Sequence, residues 1–212
     1  LFTLYDYVDE LIADRRRNER DDFVTRLVQA SRDTDKLSEQ ELRDGLVLLI
    51  FGGFDTTRNQ LGLALQTFMK HPDQWRLLAE HPELGRNAVE GVMRGNPTVR
   101  WVTREVVEDF EYEGLLLKAG TTVHLYSESA GTDPRVFEPG FDITKQRKPH
   151  FGFGAGVHHC LGHFVGREDM SVALPLLAQR MRDPYELPGA AWLPDSGNTG
   201  PIRLPIGFTP GG

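Results

Sequence analysis

The chain has 212 residues, of which 39% are hydrophobic and 26% are charged, as is typical of a soluble globular protein. Its net charge of -7 and pI near 5.5 argue against nucleic acid as a partner, because phosphate binding depends on clustered Lys and Arg. No apolar run approaches the ~18 residues that a membrane span requires. The sequence begins without Met or a signal peptide, so its first residue is not expected to be the native start and any targeting signal is unreadable. The only cysteine, Cys160, cannot form an intramolecular disulfide, which fits a reducing compartment such as the cytoplasm.

Helical patterns dominate the first part of the sequence. Apolar residues recur at helical spacing over 4–17 and again over 22–30, which predicts two opening helices. Further along, Pro72 and Pro82 each stand where a shorter helix would begin, since proline is favoured at the first helical position.

A long helix is predicted between these segments. Ser38 opens a capping-box sequence, and the apolar stretch after it continues to His71, where Pro72 stops it. We therefore expect one helix of about 34 residues. Its centre at 46–51 is apolar on every face, which predicts a core helix that is buried all round.

Short alternating runs predict a small sheet in the second half of the chain. They cover 107–112, 115–117 and 121–126, with a turn at 118–120 joining the last two. A final long helix is expected from about residue 161 to 182, and the proline inside it should kink it or end a segment. The sequence therefore predicts a mainly α fold with small β-sheets.

A glycine-rich loop delivers Cys160 to the start of that final helix. The unpaired N–H groups and positive dipole end of a helix N-terminus stabilise a thiolate. Gly154, Gly156 and Gly162 let the backbone approach a flat ligand closely, where side chains would collide. The loop therefore suits a buried, charged sulfur.

Two alternatives to a flat metal-containing ligand exist for this loop. Cys160 would be inert if it were simply buried. A zinc site could use Cys160 with His158, His159 and His163, but a closed zinc site usually needs a second ligand pair at tetrahedral spacing, and none is obvious. If the loop binds a flat ligand and not zinc, His159 and His163 are expected to be surface residues.

The loop resembles a known family. Phe153, Gly156, His158, Cys160 and Gly162 match the haem-binding signature of the cytochrome P450 family at every characteristic position. The chain is similar to the C-terminal portion of a bacterial, soluble member, including the long central helix and the haem-binding loop. The resemblance implies haem b (iron protoporphyrin IX) as cofactor, with Cys160 as proximal iron ligand and Phe153, Gly154, Gly156, His158 and Gly162 around it.

The resemblance also bears on domain organisation, because members of the family are roughly twice this length. Residues 1–212 would then be the C-terminal half of a single haem-thiolate monooxygenase domain whose N-terminal half is absent from this chain. Such a half exposes a large apolar surface, which predicts that the missing half or a homodimer partner covers it.

Asp55 and Thr56 follow two glycines inside the long helix. Each helix-interior glycine costs about 1 kcal/mol relative to alanine, so Gly52 and Gly53 suggest a local opening. The resemblance implies that Thr56 hydrogen-bonds the oxygen held at the iron and that Asp55 connects it to a proton relay. The retained pair also disfavours the peroxide-using branch of the family. The alternative is a helix N-cap or polar kink.

Further positions match the family less specifically. Arg104 and His158 resemble the partners of the haem propionates, although a lone Arg on a strand is more often a solvated charge. A further set of residues resembles substrate-pocket positions and comprises Leu48, Phe51, Gly52, Arg100 and Val102. Core packing explains the apolar members of this set equally well.

Two of the glycines that depart from the family pattern concern the surroundings of Arg94. A Glu is expected three residues before Arg94, where this chain has Gly91. Glu90 is one position off, about 100° around a helix, so it could compensate only by a change of register. Gly140 stands where an Arg usually precedes Phe141. We expect an impaired haem-retaining core rather than a different function.

The resemblance implies a monooxygenase that inserts one oxygen atom from dioxygen into an apolar small organic substrate, by hydroxylation or epoxidation. Electrons would come from a ferredoxin or flavoprotein. The alternative is a catalytically impaired haem-binding fragment or interaction protein, which Gly91 and Gly140 favour. The intact pair of Asp55 and Thr56 favours the enzyme, because a decayed protein has no chemical need for it.

Overall fold

A computed structural model describes residues 2–32, 36–146, 148–194 and 196–211. Helices are the main elements of this part of the chain, and they are α1 (Phe2–Arg17), α2 (Phe23–Ala30), α3 (Glu39–Met69), α4 (Pro72–Glu80), α5 (Gly85–Gly95), α6 (Ser127–Thr132) and α7 (His163–Arg180). The strands are β1 (Trp101–Glu105), β2 (Phe110–Tyr112), β3 (Leu115–Leu117), β4 (Thr122–Tyr126), β5 (Met181–Glu186), β6 (Ala191–Trp192), β7 (Pro201–Arg203) and β8 (Ile206–Pro210). The mainly α fold with small sheets is confirmed. In the described ranges, no helix has both the length and the hydropathy needed to cross a bilayer.

The chain divides into two compact units, Leu1–Asp55 and Thr56–Gly212. In the first unit, α1, α2 and the beginning of α3 bury one apolar cluster, which contains Val8, Ile12, Val28, Leu42, Leu46 and Val47. The capping box at Ser38 is confirmed, because the Ser38 N–H donates to Glu41 Oε2 over 2.8 Å and the Glu41 N–H donates to Ser38 Oγ over 3.2 Å. Helix α3 therefore begins where its local sequence predicts.

The expectation that the centre of α3 is buried all round is wrong. Leu46 and Val47 pack in the core of the first unit, but Leu48 is 68% exposed and Phe51 is 60% exposed. A helix that packs on one side carries the apolar residues of its other side to the surface, whatever their hydropathy. The first unit thus presents an apolar face on α3, formed by Leu48, Phe51 and Phe54.

The second unit is built around α4, α5 and α7. Its core contains Phe68, Trp75, Leu78, Ala88, Val89, Val92, Met93, Ile143, Met170, Leu174 and Ala178. The indole N–H of Trp75 donates to the Met181 carbonyl over 2.7 Å, so the largest core side chain also satisfies its polar atom.

Helix α7 is shorter than expected at both ends, since it begins at His163 and gives way to β5 at Met181. Pro175 is buried inside α7 and does not end it. Proline cannot donate to the carbonyl four residues earlier, that of Ser171. Gly85 of α5 lies against that carbonyl so closely that an added Cβ would come within 2.3 Å of it.

The strands form separate two-stranded antiparallel pairs, β1–β4, β2–β3, β5–β8 and β6–β7. The expected turn at 118–120 is present, since the Thr121 N–H donates to the Lys118 carbonyl over 3.0 Å, but the expectation of one small sheet is wrong because β4 pairs with β1. Glu113 and Gly114 both have positive φ, 51° and 78°, as a tight hairpin turn requires, and they return β3 onto β2. Alternation of side chains predicts strands but not which strands pair.

Candidate functional site

The Cys160 loop, residues 150–163, is held by its own backbone. The Cys160 N–H donates to the Phe153 carbonyl over 2.9 Å, and the His163 N–H donates to the Cys160 carbonyl over 3.4 Å. Gly154 and Gly156 adopt φ of 72° and 67°, which residues with a Cβ rarely do. The loop therefore closes on itself and places Cys160 three residues before the first residue of α7.

Cys160 is a free and exposed cysteine, so the expectation of a buried sulfur and the inert buried alternative are both wrong for this chain. Within the described residues, no group of three or more His, Cys, Asp or Glu side chains is placed to hold a metal ion. His159 is exposed as expected, whereas His163 is half-buried against Arg167.

The surroundings of Cys160 fit a flat apolar group such as haem. The thiol is a soft donor that lies three residues before the first residue of α7. An added Cβ at Gly156 or Gly162 would meet nothing within 4 Å, so the backbone there borders open space. Large apolar side chains are exposed on the same loop and helix, namely Phe151, Val157, Leu161, Phe164 and Val165.

A carboxylate behind the loop joins several elements. Glu90 on α5 accepts from His150 Nε2 over 3.0 Å and from Arg167 Nε over 2.5 Å. Arg167 also contacts His163 Nδ1 through NH1, at 2.5 Å, and its guanidinium lies 4.4 Å from the centre of the Phe153 ring. We call Glu90, His150, Arg167 and His163 the Glu90 network.

Charge compensation in the Glu90 network is strong. Burial alone would raise the pKa of Glu90, but hydrogen bonds from His150 and Arg167 and the charge of Arg167 outweigh it and hold this pKa at about 2. Burial, His159 and Arg167 lower the pKa of His163. Glu90 is therefore ionised at neutral pH although it is mostly covered.

Sequence reasoning missed this network. It considered Glu90 only as a misplaced partner for Arg94, able to act through a change of register, whereas α5 is a continuous helix and Glu90 binds α7 instead. One local signal exists, since His163 and Arg167 are four residues apart and such residues are neighbours on a helix surface. No local signal points to Glu90 and His150, which are 60 positions apart.

Arg94 is buried at 4% exposure and binds backbone carbonyls. Its NH1 donates to the Gly131 carbonyl over 2.6 Å, and its NH2 donates to the Gly140 carbonyl over 3.0 Å. The Phe141 ring lies beside Gly91, with one ring carbon 3.1 Å from where a Cβ would stand. Both departures from the family pattern therefore have a structural counterpart in this chain. The Phe141 ring occupies the space beside Gly91, and the Gly140 carbonyl accepts a hydrogen bond from Arg94.

Restoring a glutamate at position 91 is therefore expected to destabilise the protein. Gly91→Glu and Gly91→Gln should each lower the free energy of unfolding by about 1–3 kcal/mol, since both push on the Phe141 ring. Gly95→Gln on the same helix is the control, because its Cβ would meet nothing within 4 Å. Denaturant unfolding measures the effect. A Gly91→Glu variant more stable than both wild type and Gly91→Gln would show that Arg94 prefers a carboxylate there.

Asp55 and Thr56 are consecutive residues inside α3, and the division between the units falls between them. Because α3 continues through both, the N-cap alternative is wrong. Both side chains are half-buried. The next residue, Thr57, borders the Cys160 loop region, since its Oγ1 lies 3.9 Å from where a Cβ on Gly166 of α7 would stand.

The residues matched less specifically are spread over both units. Arg104 is exposed on β1 and donates to the Thr103 carbonyl over 2.8 Å, and His158 is exposed in a 3-10 turn, so the propionate and solvated-charge interpretations both stay open. Arg100 Nε lies 3.3 Å from Glu128 Oε2, and Val102 is half-buried opposite Leu125. Packing within the described part of this chain does not explain Leu48 and Phe51, since both are exposed there.

An exposed thiol in a glycine-rich loop, three residues before a helix and among exposed apolar side chains, fits the ligand loop of a haem-thiolate protein. The family comparison agrees. A model described as Cytochrome P450 matches residues 3–182, and the chain belongs to this family, whose cofactor is haem b.

Relatives and solved structures agree on the family. The chain is 39% identical over 210 residues to luteothin monooxygenase of Streptomyces thioluteus, covering 97% of this chain and 51% of that protein. It is 34% identical to nocardicin C N-oxygenase of Nocardia uniformis subsp. tsuyamanensis, over 96% of this chain and 52% of that protein. The crystal structure of CalO2 superposes with a TM-score of 0.91 at 32% identity, over 99% of this chain and 54% of CalO2. The chain thus spans about half the length of the relatives it matches.

Proposed function

We propose that residues 1–212 form the C-terminal half of a single haem-thiolate monooxygenase domain. The observation that carries this proposal is Cys160, exposed at the end of its loop in a chain of the cytochrome P450 family. The apolar face on α3 supports a missing half, because patches of large exposed apolar side chains mark interaction surfaces. A second copy of the chain is the alternative cover for that face.

In this proposal the chain binds and orients haem through its own residues. The Cys160 thiolate binds the iron, held in place by the bond from its N–H to the Phe153 carbonyl. When bound, haem b supplies the iron chemistry that activates dioxygen, and thiolate ligation favours cleavage of the O–O bond. Arg104 and His158 bind the propionates, and Gly154, Gly156 and Gly162 admit the ring to the backbone.

Proton handling falls to α3. Thr56 would hold a proton on its hydroxyl, and Asp55 would return protons to that hydroxyl from solvent. The substrate is an apolar small organic molecule that is hydroxylated or epoxidised, with electrons from a ferredoxin or flavoprotein. The proposed substrate-contacting residues are Leu48, Phe51, Gly52, Arg100 and Val102.

Thr56→Ala tests the proton role. Electron consumption should continue while most electrons are diverted to hydrogen peroxide, because positioned acid–base groups contribute about 100-fold or more to the steps they serve. The measurement is product and peroxide formed per NAD(P)H consumed, in the protein that carries this chain, with a surrogate ferredoxin and reductase.

The control is Thr56→Ser, which keeps the hydroxyl and should keep most of the coupling between electron consumption and product. Fully coupled product formation by Thr56→Ala would refute the proton role of Thr56. Equal uncoupling in both variants would show that the methyl group, not the hydroxyl, is what matters.

A further inference from the structure

Glu90 joins the two ends of the Cys160 loop from outside the loop. His150 stands at the first end of the loop and donates to one carboxylate oxygen, at 3.0 Å. Arg167 stands one turn into α7, after the second end, and donates to the other oxygen, at 2.5 Å. One side chain on α5 therefore fixes the segments that enter and leave the loop.

The two arms of this network converge on Phe153. On one side, His150 Nδ1 accepts from the Gly152 N–H over 3.0 Å, which fixes the backbone next to Phe153. On the other side, the Arg167 guanidinium lies over the Phe153 ring. The carbonyl of Phe153 in turn accepts the Cys160 N–H. A displacement of Phe153 would therefore move Cys160.

The loop also lies directly on α5. An added Cβ at Gly152 would stand 2.6 Å from the Met93 carbonyl, so the backbone at this point has almost no room to shift toward the helix. The hydrogen bonds of His150 and Arg167 prevent movement in the other direction. The loop backbone at Gly152 is therefore held between the end of α5 on one side and the hydrogen bonds to Glu90 on the other.

We propose that Glu90 is a positioning residue for Cys160, holding its sulfur where it can bind iron by fixing Phe153 through His150 and Arg167. The inference rests on the proposed role of Cys160 as haem ligand. The chemistry requires a carboxylate, because only a carboxylate accepts from donors on both oxygens. A glutamine would turn its NH₂ group toward one of those donors.

Removal of the carboxylate also leaves buried groups without acceptors. The His150 side chain is only 2% exposed, and the Arg167 side chain is 22% exposed. An unpaired buried donor costs stability, and a buried charge costs more. His150 or Arg167 can regain a hydrogen-bond partner only by moving toward water. Such a movement would no longer hold Phe153 in place.

Glu90→Gln tests the proposal with two readouts. In the haem-free chain, hydrogen exchange at the Cys160 amide should accelerate about tenfold, measured by mass spectrometry on peptides spanning 153–162. In the haem-loaded protein, the reduced, CO-bound state should absorb less at the strongly red-shifted band and more at a second band that is shifted less. That second readout reports the bond to sulfur rather than activity.

Two control variants separate positioning from simple instability. Val89→Ala on the same helix removes buried methyl groups outside the network and should lower the melting temperature without changing either readout well below it. Glu168→Gln, an exposed neighbour of Arg167, should leave both unchanged. If Glu90→Gln does not fold, Arg167→Lys replaces it, because lysine keeps the charge but cannot contact Glu90, His163 and the Phe153 ring as a planar guanidinium does.

The outcomes distinguish this inference from the proposed function. Faster exchange at Cys160 together with a diminished red-shifted band supports the positioning role. Glu90→Gln readouts equal to those of wild type overturn it, whatever Cys160 does. A wild-type protein that binds haem but never shows the red-shifted band refutes the ligand role of Cys160 instead.

Discussion

Replacing Cys160 by serine is expected to abolish the strongly red-shifted absorption band of the reduced, CO-bound protein. The band depends on a thiolate bound to iron, and a serine hydroxyl is neither soft nor ionised near neutral pH. The loop itself should survive, because the bond that holds it, from the residue 160 N–H to the Phe153 carbonyl, uses no side-chain atom of Cys160. Haem binding and the spectrum of the CO complex measure the loss.

The matched control is Val172→Ser, an exposed position further along α7. It should bind haem and show the same band as wild type. Persistence of the red-shifted band in Cys160→Ser would mean that another group is the ligand. Failure of the wild-type chain to bind haem under any expression condition would refute the enzyme proposal for this chain.

Replacing Arg94 by methionine is expected to cause a large fall in the free energy of unfolding. Methionine keeps much of the volume but removes the donors to the carbonyls of Gly131 and Gly140. Hydrogen bonds to charged groups contribute about 1.5–3 kcal/mol each, so the free energy of unfolding should fall by about 3 kcal/mol or more. Typical domains have only about 5–15 kcal/mol in total.

Arg86→Met is the control, since Arg86 is an exposed arginine on the same helix and should change stability by less than about 0.5 kcal/mol. The measurement is the denaturant midpoint of unfolding of each variant, compared at constant m-value. Equal stability of the two variants would show that the carbonyls of Gly131 and Gly140 find other donors, and that Arg94 does not hold this region together.

The contacts of Arg94 bear on the expectation of an impaired haem-retaining core. That expectation stays a prediction, but its premise has changed: the guanidinium is bonded to Gly131 and Gly140, and the position beside Gly91 is filled by Phe141. Glu90 on α5 instead accepts from His150 and Arg167, which flank the Cys160 loop. Measured haem affinity in wild type and Glu90→Gln would show how much retention depends on it.

The sequence by itself determined the features that rest on neighbouring residues. The capping box at Ser38, the helix start at Pro72 and the glycine-rich loop before Cys160 all depend on residues a few positions apart, and the structure has them where the sequence predicts. At Pro82 the structure has a short 3-10 turn, Pro82–Leu84, and α5 begins after it at Gly85. The haem-binding signature belongs to the same class. A short contiguous motif carries its chemistry without reference to the rest of the fold.

Only the tertiary structure decided which surfaces meet. Hydropathy could not show that Leu48 and Phe51 of α3 are exposed, because burial depends on what packs against a helix and not on the helix alone. Strand patterns could not pair β1 with β4, and no spacing could join Glu90 to His150 and Arg167. The thiol proposed to bind iron could be identified from its local sequence, but the residues proposed to position it are distant in the chain and meet only when α5, the loop and α7 pack together.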